Sequence, residues 1–436
     1  MLYLLPLLLT ATVLMAADAL PRRAMLGAQI APPTPAQLTA EDKTYESGVA
    51  LPQVFPNTSA AEAGLQSGDV LLTANHIPLR GPQDIGPLLK SQGVGADVVF
   101  DVLREGKVSA VTVRFKEAPR ETSAEFEIIY ESANIDGFLR RLILTKPKGD
   151  GPFPVVVLMG GLGCYSVDVA PPQPFAYRDI LYDFTRNGFA TVRIEKTGMG
   201  DSQGEPCSQQ SFFDETHGLT EGIKSLDRFK WMDKSRMIYF GHSMGGLTSP
   251  VVYQDIPCAG IVAIATSGID WKEYEMKNTR RQLVLAGVPY DSIEIYLDRK
   301  YKAMHEIFVE HKTPEQILAV DPTLAEDLAY PAHYTFMQEV ADLSLADYWK
   351  HVDTPVLFVC GTADFVVAEE EHIYARDIVN SYHPGRAEYV AIQGMDHGFN
   401  NAGTQMKAFE GGFGPPAVHP DFFPTVLAFC QKAIRK

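Results

Sequence analysis

The chain has 436 residues, of which 46% are hydrophobic and 21% charged, and its formal net charge is −16. This composition is typical of globular domains with well-formed cores, and the length allows two or three of them. The acidic excess argues against a nucleic-acid partner, because the chain has no surplus of basic side chains to neutralise a phosphate backbone.

Residues 1–19 resemble a secretory signal peptide. The segment 2–15 is apolar apart from Thr10 and Thr12, and the small-residue sequence Ala17-Asp18-Ala19 follows it, as at a cleavage site. An uncleaved membrane anchor is the alternative, although the apolar run is short for a complete span. We therefore expect an exported protein, either periplasmic or secreted.

Residues 24–118 carry the pattern of a small domain made of short strands and a helix. Apolar residues alternate over 97–104 and 109–115, which predicts two strands, and 84–91 is predicted to be helical. The segment 63–71, Ala-Gly-Leu-Gln-Ser-Gly-Asp-Val-Leu, resembles the A-G-L-x-x-G-D-V-L core of bacterial PDZ domains. The resemblance implies a PDZ-like α+β fold.

The PDZ resemblance also implies a peptide-binding loop at Met25, Leu26, Gly27 and Ala28. In this family a protein C-terminus adds as a strand to a sheet edge, and backbone amides of such a loop hold its carboxylate. Docking of a protein tail is therefore one hypothesis for this domain. A structural module without a ligand is the other.

Residues 125–436 alternate between apolar strands and amphipathic helices. An antiparallel hairpin is predicted over 126–145, and a long helix is predicted to end near Trp231. Further strands are predicted over 155–159, 190–195, 237–240, 261–265, 356–360 and 388–392. This alternation implies a mostly parallel sheet with helices on both faces.

The regular alternation stops over residues 268–352. This stretch is rich in helix-forming and aromatic residues. We predict that it forms a helical lid over an active site. A helical decoration without a gating role is the alternative.

The sequence Gly241-His242-Ser243-Met244-Gly245 has the G-x-S-x-G pattern of a nucleophile elbow. It lies between the strand predicted over 237–240 and a helix predicted over 247–254, and strand–turn–helix is the context that this motif needs. Glycines stand two positions before and two positions after the serine, because a Cβ at either position would clash in so tight a turn. Ser243 is therefore the candidate nucleophile.

An acid and a histidine follow later strands, in the chain order Ser…Asp…His. Asp364 ends the sequence Gly-Thr-Ala-Asp after the strand predicted over 356–360, and His397 follows the strand predicted over 388–392. Together with the elbow, these motifs resemble the α/β-hydrolase superfamily of serine hydrolases, including esterases and X-Pro dipeptidyl-peptidases. The resemblance implies that His397 is the general base and acid and that Asp364 orients it.

Alternatives remain for these assignments. Asp396 and Glu195 are rival acids, and Asp364 could instead cap a helix predicted over 367–380. Three other histidines are expected to be structural or exposed, namely His242, His372 and His383.

The oxyanion hole is expected to use two backbone amides. One is the amide of Met244, which follows the nucleophile. The other is the amide of Leu162 in the glycine-rich segment 160–163, with Gly161 as the alternative. This segment lacks the histidine of the H-G-x loop that is common in the superfamily.

The chain has five cysteines. Cys258, Cys360 and Cys430 lie in or beside apolar runs and are predicted to be buried thiols. Cys164 and Cys207 each follow a predicted strand, at what should be the same edge of one sheet. In an oxidising compartment they could form a disulfide, and two free thiols are the alternative.

These patterns predict an exported serine hydrolase that cleaves an ester, thioester or amide through an acyl-enzyme. Its substrate would be a small acyl ester or a peptide. A peptidase of the prolyl-oligopeptidase or X-Pro dipeptidyl-peptidase type is the second hypothesis, and a non-catalytic scaffold is the third. No metal-ligand spacing occurs in the sequence, and the predicted catalytic set needs no cofactor.

Overall fold

A computed structural model describes residues 20–41, 43–169, 173–412, 414 and 417–435. The predicted signal segment 1–19 lies outside these residues. Within the described ranges, no helix is both long enough and apolar enough to cross a membrane.

The N-terminal unit is a small antiparallel sheet with two helices. The helices are α1 (Ser59–Glu62) and α2 (Ile85–Gln92). The strands are β1 (Ala24–Met25), β2 (Ala28–Ala31), β3 (Val49–Val54), β4 (Val70–Ala74), β5 (Ile77–Pro78), β6 (Asp97–Arg104), β7 (Lys107–Arg114) and β8 (Lys116–Glu117). The main sheet has the order β2-β3-β4-β6-β7, β5 pairs with β4, and β1 pairs with β8.

The strand predicted over 97–104 is confirmed as β6. Its alternate residues Val98, Phe100 and Val102 are fully buried, because one face of the antiparallel sheet packs on the domain core. The helix predicted over 84–91 is α2, displaced by one residue.

The C-terminal unit is built on one large sheet. Its strands are β9 (Glu127–Ile135), β10 (Phe138–Lys146), β11 (Phe153–Met159), β12 (Ala190–Ile194), β13 (Met232–His242), β14 (Gly260–Ile264), β15 (Val356–Gly361) and β16 (Ala387–Ile392). Their order is β16-β15-β14-β13-β11-β12-β10-β9. The predicted hairpin is β9 and β10, which pair antiparallel with each other, and β10 also pairs antiparallel with β12. The remaining pairs are parallel.

The central strands are buried on both faces. Along β11, Val155, Val157 and Met159 lie in one hydrophobic core, whereas Val156 and Leu158 lie in the other. A strand that contributes alternate side chains to two cores must be apolar throughout. This is why the sequence shows continuous apolar runs here.

Helices cover both faces of the sheet. They are α3 (Ala176–Arg186), α4 (Phe212–Lys224), α5 (Met244–Asp255), α11 (Glu369–Tyr382), α12 (Gln405–Gly411) and α13 (Phe422–Ala433), with α6 to α10 described below. The prediction that a long helix ends near Trp231 is wrong. α4 ends at Lys224 and a short 3₁₀ turn follows over Ser225–Arg228, because the chain becomes extended at Phe229 to enter β13.

Five further helices lie between β14 and β15: α6 (Trp271–Leu285), α7 (Tyr290–Met304), α8 (Pro314–Val320), α9 (Tyr334–Asp342) and α10 (Leu345–Trp349). Buried side chains of this insertion, such as Phe308, Met337 and Trp349, belong to the same hydrophobic core as one face of the sheet. The insertion is therefore packed firmly on the domain. Whether it gates access to the site stays a prediction.

A buried ion network ties the N-terminal residues to the large sheet. The Arg22 guanidinium contacts Asp168 at 2.5 Å and also pairs with Asp201. Arg141 of β10 binds the same Asp201 carboxylate at 2.9 Å and donates to the Leu20 carbonyl at 2.7 Å. The first described residues of the chain are thus bound to the large sheet.

The linker between the two units is anchored by Glu121. Its carboxylate accepts two hydrogen bonds from Arg193 of β12, at 2.8 and 2.5 Å, and a third from the Tyr182 hydroxyl at 2.5 Å. The side chains of Glu121 and Arg193 are both fully buried. Each charge of such a pair stabilises the other, because either one alone would be buried without a partner in a medium of low dielectric.

Glu121→Gln is expected to lower the free energy of unfolding by about 3–5 kcal/mol, since it leaves the Arg193 charge buried without compensation. Urea denaturation followed by tryptophan fluorescence measures this, because all three tryptophans, Trp231, Trp271 and Trp349, lie in the C-terminal unit. The matched control is Glu125→Gln. Glu125 pairs with Arg186 at the surface, so its loss should leave the transition unchanged. Equal shifts for both variants would contradict the prediction.

Candidate active site

Ser243 lies in a tight turn between β13 and α5. Its φ angle is +55°, a conformation that non-glycine residues adopt only when the surrounding structure enforces it. Its N–H donates to the Ile264 carbonyl at 2.8 Å. A Cβ on Gly245 would lie 1.9 Å from the Met159 carbonyl oxygen, so only glycine fits there. The turn lifts the serine hydroxyl above the sheet edge.

Ser243, His397 and Asp364 lie together in one hydrogen-bonded chain. The distance from Ser243 Oγ to His397 Nε2 is 3.1 Å, and the distance from His397 Nδ1 to Asp364 Oδ2 is 2.9 Å. The three residues follow the ends of β13, β16 and β15, respectively, and these parallel strands share one carboxyl edge. The geometry lets the imidazole accept the serine proton while the carboxylate holds Nδ1–H.

Asp364 uses both of its carboxylate oxygens. While Oδ2 accepts from His397, Oδ1 accepts from the amides of Val366 and Val367 at 2.7 and 2.9 Å. Burial by itself would raise the pKa of Asp364, but the charge and hydrogen bond of His397 and these two amides hold it below the ordinary value. The capping alternative is wrong as stated, because the next helix begins at Glu369 with Ala368 as its N-cap.

The two rival acids do not make the corresponding contact with His397. Asp396 accepts from the amide of Asn400 at 2.7 Å and from its side chain at 3.2 Å. Glu195 accepts from Ser166 Oγ at 2.5 Å and from the amide of Val167 at 3.1 Å. Burial raises the pKa of Glu195 to about 7. Asp396 thus stabilises its own loop, and Glu195 stabilises the loop that follows β11.

The amides expected to form an oxyanion hole border Ser243. Met244 directly follows it as the first residue of α5. On the other side, a Cβ on Gly161 would lie 3.5 Å from the Ser243 Cβ. The Gly161 amide already donates to the Tyr177 hydroxyl at 3.2 Å, whereas no described residue accepts a hydrogen bond from the Leu162 amide. This pattern favours Leu162 over Gly161.

Two side chains that were not assigned to the site connect its loops. The Tyr177 hydroxyl lies 2.6 Å from His242 Nδ1, and His242 Nε2 donates to the His397 carbonyl at 2.8 Å. Burial lowers the pKa of His242 to about 3, so the ring is neutral and can accept from Tyr177. The sequence predicts that His242 is structural or exposed, and it gives no indication of the link to His397. No sequence signal marks Tyr177, which lies in the first turn of α3.

The other two histidines considered above, His372 and His383, bind backbone groups. His372 Nε2 accepts from the Thr266 amide at 3.0 Å, and His383 Nε2 donates to the Lys350 carbonyl at 2.8 Å. Cys360 and Cys430 are buried thiols as predicted, whereas Cys258 is only partly buried. A disulfide joins Cys164 and Cys207. It connects the end of the glycine-rich loop after β11 to the segment that precedes α4.

The predicted peptide-binding loop runs from Met25 to Ala28 between β1 and β2. Leu26 is buried in the core of the small domain. Gly27 has a φ of +85°, and a Cβ there would lie 2.1 Å from the Thr58 Cβ, so glycine is required. Within the described residues, β2 is the outermost strand of its sheet.

Comparisons with known proteins agree with this architecture. Residues 156–401 match the serine aminopeptidase S33 family, and residues 25–115 match the PDZ domain family. The esterase EstD of Thermotoga maritima is 24% identical over 286 residues, which cover 64% of this chain and 63% of EstD. The esterase FrsA of Escherichia fergusonii is 33% identical over 115 residues, covering 26% of this chain and 23% of FrsA. The chain thus spans less than two thirds of the length of these curated relatives.

Solved structures with a similar fold include the esterase Pf2001 of Pyrococcus furiosus, with 14% identity and a TM-score of 0.45 over 72% of this chain and 96% of that one. Another is Est1E of Butyrivibrio proteoclasticus, with 14% identity and a TM-score of 0.44 over 71% of this chain and 99% of that one. The family match spans more than half of the chain. The chain therefore belongs to the serine aminopeptidase S33 family of α/β-hydrolases and carries a PDZ domain ahead of its hydrolase unit.

Proposed function

We propose that this protein is an exported serine hydrolase that cleaves small carboxylic esters through an acyl-enzyme. The observation that carries the proposal is the hydrogen-bonded chain from Ser243 through His397 to Asp364. Ser243 Oγ attacks the carbonyl carbon while His397 takes its proton, and the imidazolium then protonates the leaving alcohol. Water repeats the sequence on the acyl-enzyme and releases the acid. Thioesters and amides would react in the same way, with a thiol or an amine as the leaving group.

The negative charge that develops on the carbonyl oxygen needs preorganised donors. We assign this role to the amides of Met244 and Leu162, since the Gly161 amide is engaged by Tyr177. Asp364 keeps the Nδ1–H tautomer of His397 and stabilises the imidazolium. No step in this mechanism calls for a metal or an organic cofactor.

Esters are the first choice because the two curated relatives described above are named esterases. A peptidase is the second candidate, because the family is described as serine aminopeptidases. The same groups can cleave amides, so the difference must lie in how the substrate is held.

A substrate panel separates these candidates. It compares p-nitrophenyl esters of short and long acyl chains with aminoacyl and X-Pro p-nitroanilides. We expect hydrolysis of an ester and of none of the anilides, and a fluorophosphonate probe to label the peptide that contains Ser243. Hydrolysis of an anilide that Ser243→Ala abolishes would make the protein a peptidase, because a serine peptidase also cleaves activated p-nitrophenyl esters. A folded protein that neither hydrolyses the panel nor reacts with the probe would be a scaffold.

We also propose that the PDZ domain docks a protein C-terminus along β2. The outer position of β2 in its sheet and the Leu26–Gly27 turn before it support this, because such an edge can accept an added strand. The probe is a pool of synthetic peptides with apolar last residues and free carboxyl ends. Calorimetry should detect binding that C-terminal amidation removes. Equal heats of binding for the free-acid and the amidated peptides, or no heat for either, would favour a structural module.

The proposal that the protein is exported has support from the disulfide between Cys164 and Cys207, since such bonds persist in oxidising compartments. N-terminal sequencing of the mature protein from fractionated cells tests it. Cleavage near Ala19 in a periplasmic or secreted fraction is the expected result. An intact N-terminus in the cytoplasmic fraction would overturn it.

A further inference from the structure

Lys196 is buried beside the glycine-rich loop that follows β11. Its side chain is 9% exposed. The ammonium donates to the carbonyl oxygens of Gly161 and Gly163, at 3.1 and 2.9 Å, and pairs with Glu215 at 3.0 Å. A lysine that directs its charge at two backbone carbonyls of one loop holds the conformation of that loop.

The contact with Gly161 determines where the Leu162 amide points. The Gly161 carbonyl and the Leu162 N–H belong to the same planar trans peptide unit, so they point in opposite directions. The Tyr165 hydroxyl donates to the same Gly161 oxygen at 3.2 Å. With two donors on the carbonyl, the peptide cannot rotate without losing both bonds, and the Leu162 N–H stays on the opposite side.

The charge of Lys196 is balanced locally. Because Glu215 pairs with the ammonium, the long-range field of the lysine at the reacting carbonyl is small, and its main effect is on geometry. An oxyanion hole requires donors already in place when the charge develops. A loop free to turn its peptide would supply that donor only part of the time.

We propose that Lys196 is a positioning residue that keeps the Leu162 amide directed at the reacting carbonyl oxygen. This inference rests on the proposed acyl-enzyme function. It goes beyond the assignment of the amides, because it names the side chain that orients one of them. The disulfide at Cys164 is the competing anchor. If that bond alone held the loop, Lys196 would be dispensable.

The test is Lys196→Met, which keeps the apolar stem and removes the donor. We expect kcat for a p-nitrophenyl ester to fall about 10- to 100-fold, which is less than the roughly 10²- to 10³-fold loss that follows complete removal of an oxyanion-hole donor. KM should change less than about threefold, because ground-state binding does not use the oxyanion hole. The affinity for an alkyl trifluoromethyl ketone should fall in parallel with kcat/KM. This inhibitor forms a hemiketal with Ser243 whose oxygen occupies the oxyanion hole.

Two further variants keep the result interpretable. Lys224→Met removes a surface lysine that pairs with Glu221, and it should leave kcat unchanged. Lys196→Met/Glu215→Gln removes the carboxylate that would otherwise be left unpaired and protects folding. It should show the same loss of kcat. Recovery of kcat in this double variant would overturn the proposal, because the defect would then arise from the Glu215 charge.

A second result would also overturn the positioning role. In it, the wild-type protein hydrolyses the ester, and a folded Lys196→Met variant has the same kcat and the same inhibitor affinity. The proposed function would then remain intact. A wild-type protein that is inert to both ester and probe would remove the proposed function itself. The two failures are therefore distinguishable.

Discussion

Ser243→Ala is expected to lower kcat for ester hydrolysis by about a million-fold, the loss seen when a serine nucleophile of this kind is removed. The reason is that the Ser243 hydroxyl lies 3.1 Å from His397 Nε2, where the imidazole can take its proton. Fluorophosphonate labelling should disappear completely. Stability should change little, because Ser243 is half-buried.

The matched control for this substitution is Ser249→Ala in α5. The Ser249 hydroxyl donates to the Gly245 carbonyl at 2.7 Å and not to His397, so the kcat of this variant should stay within about threefold of wild type. His397→Ala and the Ser243/His397 double variant should lose about as much activity as Ser243→Ala, because residues that act as a unit are not additive. A Ser243→Ala protein that keeps most of its activity would mean that another residue is the nucleophile.

Asp364→Asn is expected to lower kcat by about 10⁴-fold without changing the fold. An amide at this position can still accept from Val366 and Val367, but it favours the wrong tautomer of His397 and cannot stabilise the imidazolium. Steady-state kinetics with a p-nitrophenyl ester and circular dichroism measure the two effects separately.

Asp396→Asn separates Asp364 from its nearest rival. Asp396 binds Asn400 instead of the His397 ring, so we expect a loss of stability in that loop and a kcat reduced by much less than for Asp364→Asn. If the order of the two losses were reversed, Asp396 would be the orienting acid, and the loop after β16 would have to rearrange in solution.

Much of the fold could be predicted because its signals are local. The alternation in β6 and the apolar runs of β11 and β15 reflect burial on one or two faces, and this appears directly as a period in the sequence. The elbow was also a local signal, since only glycine fits two positions before and two positions after Ser243, at Gly241 and Gly245. The predicted ends of helices were less accurate, as α4 shows, because a helix ends where the chain must turn toward the next strand.

The site was only partly predictable for a related reason. Motif order placed Ser243, Asp364 and His397 at one sheet edge, and the structure brings these three together. The choice between Leu162 and Gly161 depended on Tyr177, whose hydroxyl engages one of the two amides. No pattern in α3 indicates that contact, because it joins residues whose distance is set by the packing of the helix on the sheet.

Local patterns were enough to predict the succession of strands and helices along the chain, the elbow, and the residue types that meet at the sheet edge. These features follow from backbone sterics and from the periodic burial of side chains along a strand or helix, and both depend on residues close together in the chain. Tertiary structure alone decided that Arg22 is buried against Asp168 and Asp201, that His242 bonds to the His397 backbone, and that Lys196 binds the glycine-rich loop. Such contacts join segments far apart in the chain. Their geometry depends on how irregular loops pack against the folded sheet, and the sequence of a loop has no periodic pattern that predicts this.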